Sequence, residues 1–84
     1  MAGTVQLSWR DLRLAAMYEL LHACEALRAA GAIDRYSPVL TDLGDDTTDG
    51  FALLRGDAGR LRALAAGDEL RPWVERYGLR IALW

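Results

Sequence analysis

The residues best suited to binding chemistry are Tyr36, Arg80 and Trp84, which fall in segments that otherwise have the pattern of buried strands. An arginine among apolar neighbours needs a carboxylate partner, an anion or water to offset its desolvation. A phenol can donate a hydrogen bond and an indole offers an aromatic surface. These residues predict a pocket for an anionic or aromatic ligand. The simpler interpretation is that Arg80 reaches solvent or forms an ion pair at a dimer boundary.

The sequence contains one histidine, His22, and one cysteine, Cys24. On a helix, His22 lies roughly opposite the apolar stripe, which predicts a solvated histidine; a base facing a partner chain is the alternative. Cys24 lies on the stripe and is expected to be an inert core thiol. Two residues apart on a helix, their side chains point apart, so we expect no metal site. No phosphate-binding glycine motif or catalytic triad pattern is present, and no cofactor is predicted.

Length and charge narrow the class of protein. The 84 residues predict a single domain over 1–84, and ten arginines against twelve acidic residues give a net charge of −2. Without a basic stripe we expect no nucleic-acid partner, and without an apolar run of roughly 20 residues we expect no membrane span. The arginine-only basic set suggests a bacterial source, and the single cysteine suggests the cytoplasm.

The strongest secondary-structure prediction is a long helix over about 9–30. Ser8 and Asp11 have the spacing of a helix start, and no glycine, proline or β-branched residue follows until Gly31. Apolar residues at spacings of three and four form one stripe, which includes Met17. A strand of about four residues, starting at Thr4, precedes this helix.

The rest of the chain predicts two central strands, a second helix and a last strand. The strands are expected over 33–43 and 51–55, with an acidic hairpin loop over 41–50 between them. Asp57 is a candidate cap for a helix over about 57–77 that breaks at Gly67, and 79–84 alternates as a strand. The order predicts an α+β fold, ferredoxin-like βαββαβ with a mostly antiparallel sheet.

The strands have apolar residues on both faces, whereas a sheet covered by helices on one side should alternate. If one set packs on the helices, Leu54, Ala82 and Trp84 are left on the uncovered face. An apolar patch of that kind is unusual on a monomer. We therefore expect a second chain to cover it, most simply in a C2 homodimer, with these three residues in the interface.

From Gly31 onward, the sequence resembles small bacterial proteins of the dimeric α+β barrel superfamily, including YCII-related and antibiotic-biosynthesis-monooxygenase-like domains. The resemblance is carried by Ile33-x-x-Tyr36-x-Pro38-Val39-Leu40, Gly50-Phe51-x-Leu53-x-x-Gly56-Asp57, Leu61-x-x-Leu64, Asp68-Glu69 and Arg71. It implies a ferredoxin-like chain that pairs its sheet with a second copy, often around a small pocket. Some members of the superfamily are oxygenases or cyclases that use no metal.

Three functions follow as hypotheses. The first is a non-catalytic homodimeric module that binds a small molecule or a protein. The second is a cofactor-free monooxygenase, isomerase or cyclase with a pocket near Tyr36 and Arg80, to which Trp84 and His22 could contribute. The third is an accessory subunit that docks its apolar sheet face on a different protein.

Overall fold

The computed structural model describes all 84 residues as four strands and three helices. The elements in chain order are β1 (Ala2–Arg13), α1 (Leu14–Ala29), β2 (Arg35–Leu43), β3 (Thr47–Asp57), α2 (Ala58–Ala66), α3 (Arg71–Tyr77) and β4 (Arg80–Leu83). The strand order in the sheet is β2-β3-β1-β4, and every neighbouring pair is antiparallel. The chain is an α+β protein, compatible with a ferredoxin-like fold except that two helices stand between β3 and β4. No helix has both the length and the apolar character needed to cross a membrane.

The first strand is much longer than predicted. It spans 12 residues and includes 9–13, which the sequence analysis assigned to the helix. Inward-pointing Val5, Leu7 and Trp9 are buried and alternate with more exposed polar residues, the pattern of a half-covered strand. Ser8 pairs across the sheet and caps no helix. The prediction of a helix start at Ser8 was wrong because long-range pairing with β3 outweighs a local capping pattern.

A β-bulge extends β1 beyond Trp9. The β1–β3 register shifts between Trp9 and Leu12, and Asp11 has a positive φ of 48°. The Asp11 backbone N–H donates to Asp49 Oδ1 at 2.9 Å, which holds the bulge against β3. The extra residue returns Leu12 to the buried face, so the hydrophobic pattern survives the break in alternation.

The β2–β3 hairpin is longer and its turn shorter than the predicted loop over 41–50. β2 ends at Leu43 and β3 begins at Thr47, and the Gly44 N–H donates to the Thr47 carbonyl oxygen at 2.9 Å. The Thr48 hydroxyl donates to the Asp42 carbonyl oxygen at 2.6 Å. Backbone pairing therefore continues through a segment whose acidic composition favoured a loop.

The predicted break in the second helical region is confirmed. The Asp57 carboxylate caps α2 by accepting from the Arg60 backbone N–H at 3.1 Å, and Gly67 ends that helix. Pro72 lies in the first turn of α3, where a missing N–H costs little. Gly78 ends α3 in the left-handed conformation at φ 64°, which glycine adopts without strain.

All three helices lie on one face of the sheet, and the core lies between them. α1 contributes Met17, Leu20 and Cys24, while α2 contributes Leu61 and Leu64. The core comprises Val5, Leu7, Trp9, Leu12, Met17, Leu20, Cys24, Ile33, Ala52, Leu54, Leu61, Leu64, Leu70 and Leu79. The predicted apolar stripe of α1 is thus confirmed, although the helix begins five residues later than expected.

The position of Leu54 corrects the predicted interface. Its side chain is 0% exposed and lies in the core with Ala52, whereas Phe51 and Leu53 point to the opposite face. Both sets of side chains on β3 are apolar, so the sequence pattern does not determine which set faces the helices. Leu54 is therefore not available to a second chain.

Candidate functional site

The face of the sheet opposite the helices, which we call the open face, carries the candidate site. Its centre contains the apolar residues Val39, Phe51, Leu53 and Ala82. Arginines occupy both ends, with Arg35 and Arg55 at one end and Arg10 and Arg80 at the other. The remaining positions are Thr4, Gln6, Ser8, Arg13, Ser37, Asp42, Thr47, Asp49 and Trp84. Since the whole chain has a net charge of −2, this concentration of cations on one face is a local feature.

The four arginines at the two ends of the apolar centre have no partners within the chain. None forms an ion pair or donates a side-chain hydrogen bond, whereas Arg28, Arg71 and Arg76 are each paired with a carboxylate. Two carboxylates lie on this part of the face, Asp49 and its register partner Asp42, and neither forms an ion pair. One Asp49 oxygen already accepts the Asp11 N–H. The open face therefore presents planar guanidinium donors that can bind anions.

One concavity lies around Arg10 and Arg80 and has a volume of about 530 Å³. Arg80 pairs in register with Ser8, and Arg10 follows Ser8 by two residues on the same face. The lining residues are Ser8, Trp9, Arg10, Thr41, Asp49, Gly50, Phe51, Gly78 and Arg80. We call this concavity the Arg10–Arg80 cavity.

A second concavity, the Arg35–Arg55 cavity, lies at the other end of the face and has a volume of about 460 Å³. Arg35 and Arg55 are direct partners in the β2–β3 register, and Thr4 is the partner of Arg55 on β1. The lining residues are Ala2, Gly3, Thr4, Asp34, Arg35, Arg55, Gly56 and Trp84. Both cavities are open to solvent, and polar atoms form most of the lining of each.

The structure places Arg80, Ala82 and Trp84 on the open face of β4 and its extension. Ala82 is exposed opposite Gln6, and Trp84 is 78% exposed beside Thr4. Arg80 and Trp84 are four residues apart on an extended chain, or about 13 Å. They therefore line different cavities.

Tyr36 does not join Arg80 in a pocket. Tyr36 pairs with Leu54, so it lies on the helix-covered face of β2, while Arg80 lies on the open face of β4. β2 and β4 are the two edges of the sheet, about 14 Å apart at the usual strand spacing. The predicted pocket near Tyr36 and Arg80 is therefore not formed within one chain.

Tyr36 instead belongs to a small polar cluster with α1. The Arg28 guanidinium donates to both Glu25 carboxylate oxygens, from Nε at 2.9 Å to Oε2 and also to Oε1. This arginine, with a smaller contribution from the nearby Tyr36 hydroxyl, lowers the pKa of Glu25 to about 2. The Glu25 carboxylate in turn raises the pKa of Tyr36, so the phenol stays protonated and unsuited to act as a base.

His22 and Cys24 differ in accessibility, as predicted. His22 is exposed on α1 and has no ion-pair partner. Cys24 is fully buried, and burial raises the pKa of its thiol to about 11. The thiolate that nucleophilic chemistry requires is therefore scarce at neutral pH.

Arg10, Arg35 and Arg55 were not among the residues predicted to form a site. Arg10 lay in the predicted helix. Arg35 and Arg55 lay near the ends of strands that were predicted from their apolar residues. The sequence pattern does indicate the position of Arg10, because Thr4, Ser8 and Arg10 are polar residues at alternating positions of one strand. Extending that alternation past Ser8 would have placed Arg10 on a sheet face.

No three or more His, Cys, Asp and Glu side chains lie together in an arrangement that could hold a metal ion. No protein-family model matches the chain, and a search of curated proteins finds no match either.

Proposed function

We propose that the protein is a small non-catalytic binding module whose open face holds an anionic ligand. One observation carries the proposal: five arginines occupy this face, four of them at the ends of its apolar centre, and none forms an ion pair within the chain. Elsewhere in the fold three arginines are paired with acids, as Arg71 is with Asp68 at 3.5 Å, whereas Arg60 and Arg62 on α2 form no ion pair. Guanidinium groups that are unpaired on one face can bind an anionic group of another molecule.

The absence of a reactive group supports binding rather than catalysis. The open face holds hydroxyls, guanidiniums and apolar side chains, but no histidine or cysteine. Tyr36, the proposed hydrogen-bond donor of the enzymatic alternative, lies on the other side of the sheet from Arg80. A cofactor-free monooxygenase, isomerase or cyclase using that pair would need both residues in one pocket.

Thermal unfolding with added anions tests the proposal, since a ligand that binds only the folded state raises Tm. Inorganic phosphate should raise Tm relative to chloride at equal ionic strength. The rise should disappear when Arg10, Arg35, Arg55 and Arg80 are replaced by glutamine. The matched control replaces the same number of exposed arginines on α2 and α3, namely Arg60, Arg62, Arg71 and Arg76. An equal phosphate effect in both variants would refute the proposal.

A face-to-face homodimer is the second candidate, and it is favoured by the apolar centre of the open face. Phe51 and Leu53 are only half-buried and Val39 is 40% exposed, although all three are apolar. The resemblance to dimeric α+β barrel proteins points the same way. Pairing two copies would bring four arginines from each into one interface, so such a dimer needs anions between them. Native mass spectrometry should then show a species of twice the 9.3 kDa monomer mass, and the fraction of protein in this dimer should increase when phosphate is added.

An accessory subunit is the remaining alternative, with the same apolar centre covered by a different protein. We also propose that the protein comes from a bacterium, is located in the cytoplasm and has a ferredoxin-like fold. These proposals are supported by the arginine-only basic set, the lone cysteine, and the β2-β3-β1-β4 strand order. A monomer that binds phosphate would favour the ligand-binding module over both assembly alternatives.

A further inference from the structure

We infer that the Arg35–Arg55 cavity binds an organic anion in which an aromatic ring carries a phosphate or carboxylate group. The anionic group lies between the Arg35 and Arg55 guanidiniums, and the ring lies against Trp84. This inference rests on the proposed function of the open face, and it adds the position of the site and the chemical class of the ligand.

The pairing of Arg35 with Arg55 is the first observation. The two residues are direct partners in the antiparallel β2–β3 register, so their side chains leave the same face side by side. Like charges in such a pair are destabilising, and strands usually place opposite charges or neutral residues there. A negatively charged group bound between the two guanidiniums attracts both of them and so offsets their mutual repulsion.

The second observation is that both guanidiniums are free to donate. Neither Arg35 nor Arg55 forms an ion pair or a side-chain hydrogen bond. Asp34 is the one carboxylate at the cavity, and none of its oxygens forms an ion pair with either arginine. Its backbone N–H donates to the Arg55 carbonyl oxygen at 2.8 Å, so the Asp34 backbone extends the β2–β3 pairing beyond the start of β2. Two planar guanidinium groups side by side can donate hydrogen bonds to the oxygens of a carboxylate or phosphate.

The third observation concerns the aromatic part of the ligand. Trp84 lines the same cavity, as well as a smaller concavity beside α2, and is 78% exposed. Its backbone N–H donates to the Thr4 carbonyl oxygen at 2.9 Å, which holds it beside β1. Arg55, Thr4 and Trp84 follow one another across three adjacent strands, so Arg55 and Trp84 are about 10 Å apart. That interval leaves room for one ring above Thr4, whose hydroxyl adds a polar contact.

The Arg10–Arg80 cavity is less suited to the same ligand. Asp49 lines it and offsets part of the positive charge. Arg80 faces Ser8 in the register, and Arg10 stands diagonal to Arg80, so the two guanidiniums are not direct neighbours. The charge and the pairing both favour the Arg35–Arg55 end.

Isothermal titration calorimetry with phenyl phosphate and inorganic phosphate tests the inference on the full chain. The wild type should bind phenyl phosphate more tightly than inorganic phosphate, because only the former can stack on Trp84. Replacing both Arg35 and Arg55 with glutamine should weaken phenyl phosphate binding by about tenfold or more, the usual effect of losing charge-assisted hydrogen bonds. Replacing Arg10 and Arg80 with glutamine tests the other end of the open face and should weaken phenyl phosphate binding less than the Arg35 and Arg55 replacement does, because distant charges are screened.

The aromatic contact has its own variant. Trp84→Ala should reduce the preference for phenyl phosphate over inorganic phosphate to about one, while leaving inorganic phosphate affinity near the wild-type value. Thermal unfolding of each variant confirms that it is folded. An unchanged preference in Trp84→Ala would overturn the aromatic part of the inference.

The remaining outcomes separate this inference from the proposed function. A larger loss in the Arg10 and Arg80 double variant than in the Arg35 and Arg55 variant would overturn the inference but keep an anion-binding open face. If neither phosphate compound binds the wild type, both the inference and the proposed function fail.

Discussion

The ring of Trp9 lies directly against the bare backbone of Gly50. The two residues are partners in the β1–β3 register, and a Cβ built at position 50 would stand 3.1 Å from Trp9 Cζ2 and overlap the Val39 carbonyl oxygen. Trp9 is only 2% exposed, so its ring is enclosed by the core. This contact fixes the packing of the central strands where β1 begins to bulge.

Gly50→Ala is therefore expected to destabilise the fold. The added methyl group must displace either the indole or the β2–β3 backbone, at a cost of about 1–3 kcal/mol. Gly44→Ala is the control, since its nearest approach is an acceptable 3.4 Å to the Thr47 carbonyl oxygen in an exposed turn. Urea unfolding of both variants checks the prediction. Equal midpoints for the two variants would show that Trp9 does not constrain Gly50 as described.

Removing one charge from the Arg35–Arg55 pair should stabilise the protein. Arg35→Gln and Arg55→Gln each relieve repulsion between direct cross-strand partners, which is worth about 0.2–1 kcal/mol. For a domain of this size, that range corresponds to a Tm increase of roughly 1–6 °C. The gain should be largest in a low-salt buffer without multivalent anions, because salt screens exposed charges.

Arg62→Gln provides the comparison for this pair. Arg62 is exposed on α2 and has no ion-pair partner, so its loss should change Tm very little. Scanning calorimetry at low and moderate salt measures the three variants. A lower Tm for both Arg35→Gln and Arg55→Gln would mean that each arginine is held by a favourable contact.

Acid stability should depend in part on Glu25. The Arg28 guanidinium holds the pKa of Glu25 at about 2 in the folded protein, below its ordinary value of 4.5. A carboxyl whose pKa falls on folding stabilises the native state above its unfolded pKa, and that contribution is lost as pH falls through the folded value. Stability should therefore decline between about pH 4.5 and pH 2 partly through this residue.

Glu25→Gln should make the stability curve flatter across that interval while lowering stability at neutral pH. Glu75→Gln is the control, because Glu75 is exposed and forms no ion pair. Urea unfolding at half-unit pH intervals gives the two curves. Identical slopes for wild type and Glu25→Gln below pH 4.5 would contradict the assigned pKa.

Cys24 should resist thiol reagents until the protein unfolds. The side chain is buried, and burial raises the pKa of the thiol to about 11, so little thiolate exists at pH 8. Ala26→Cys adds an exposed thiol on the same helix and serves as an internal control. Labelling with a chromogenic disulfide should then be biphasic, with one thiol fast and one slow, and should become uniformly fast in urea. Rapid labelling of both thiols in the native state would show that α1 opens readily.

The fold was largely predictable where local signals and long-range pairing agree. Asp57, Gly67 and Gly78 set helix boundaries through capping and backbone conformation, and those act locally. β1 was not predictable in the same way, because its residues beyond Ser8 are extended only through pairing with β3. The bulge at Asp11 hid the alternation further by adding one residue to it.

The candidate site was harder to predict than the fold. Arg80 and Trp84 were identified from their residue types, but their separate positions depend on the sheet register. Leu54 was assigned to the wrong face because both sets of residues on β3 are apolar. The Arg35–Arg55 pair depends on the β2–β3 register, and the sequence pattern left that register open.

Chemical-shift mapping by NMR is the most direct test of an anion-binding open face. The ¹⁵N-labelled chain would be titrated with inorganic phosphate at constant ionic strength, with sodium chloride as the reference. The account predicts saturable shifts confined to the open-face strands, led by Thr4, Arg35, Arg55 and the Trp84 indole N–H. Shifts centred on α1, α2 or α3, or no saturable shift at all, would contradict it.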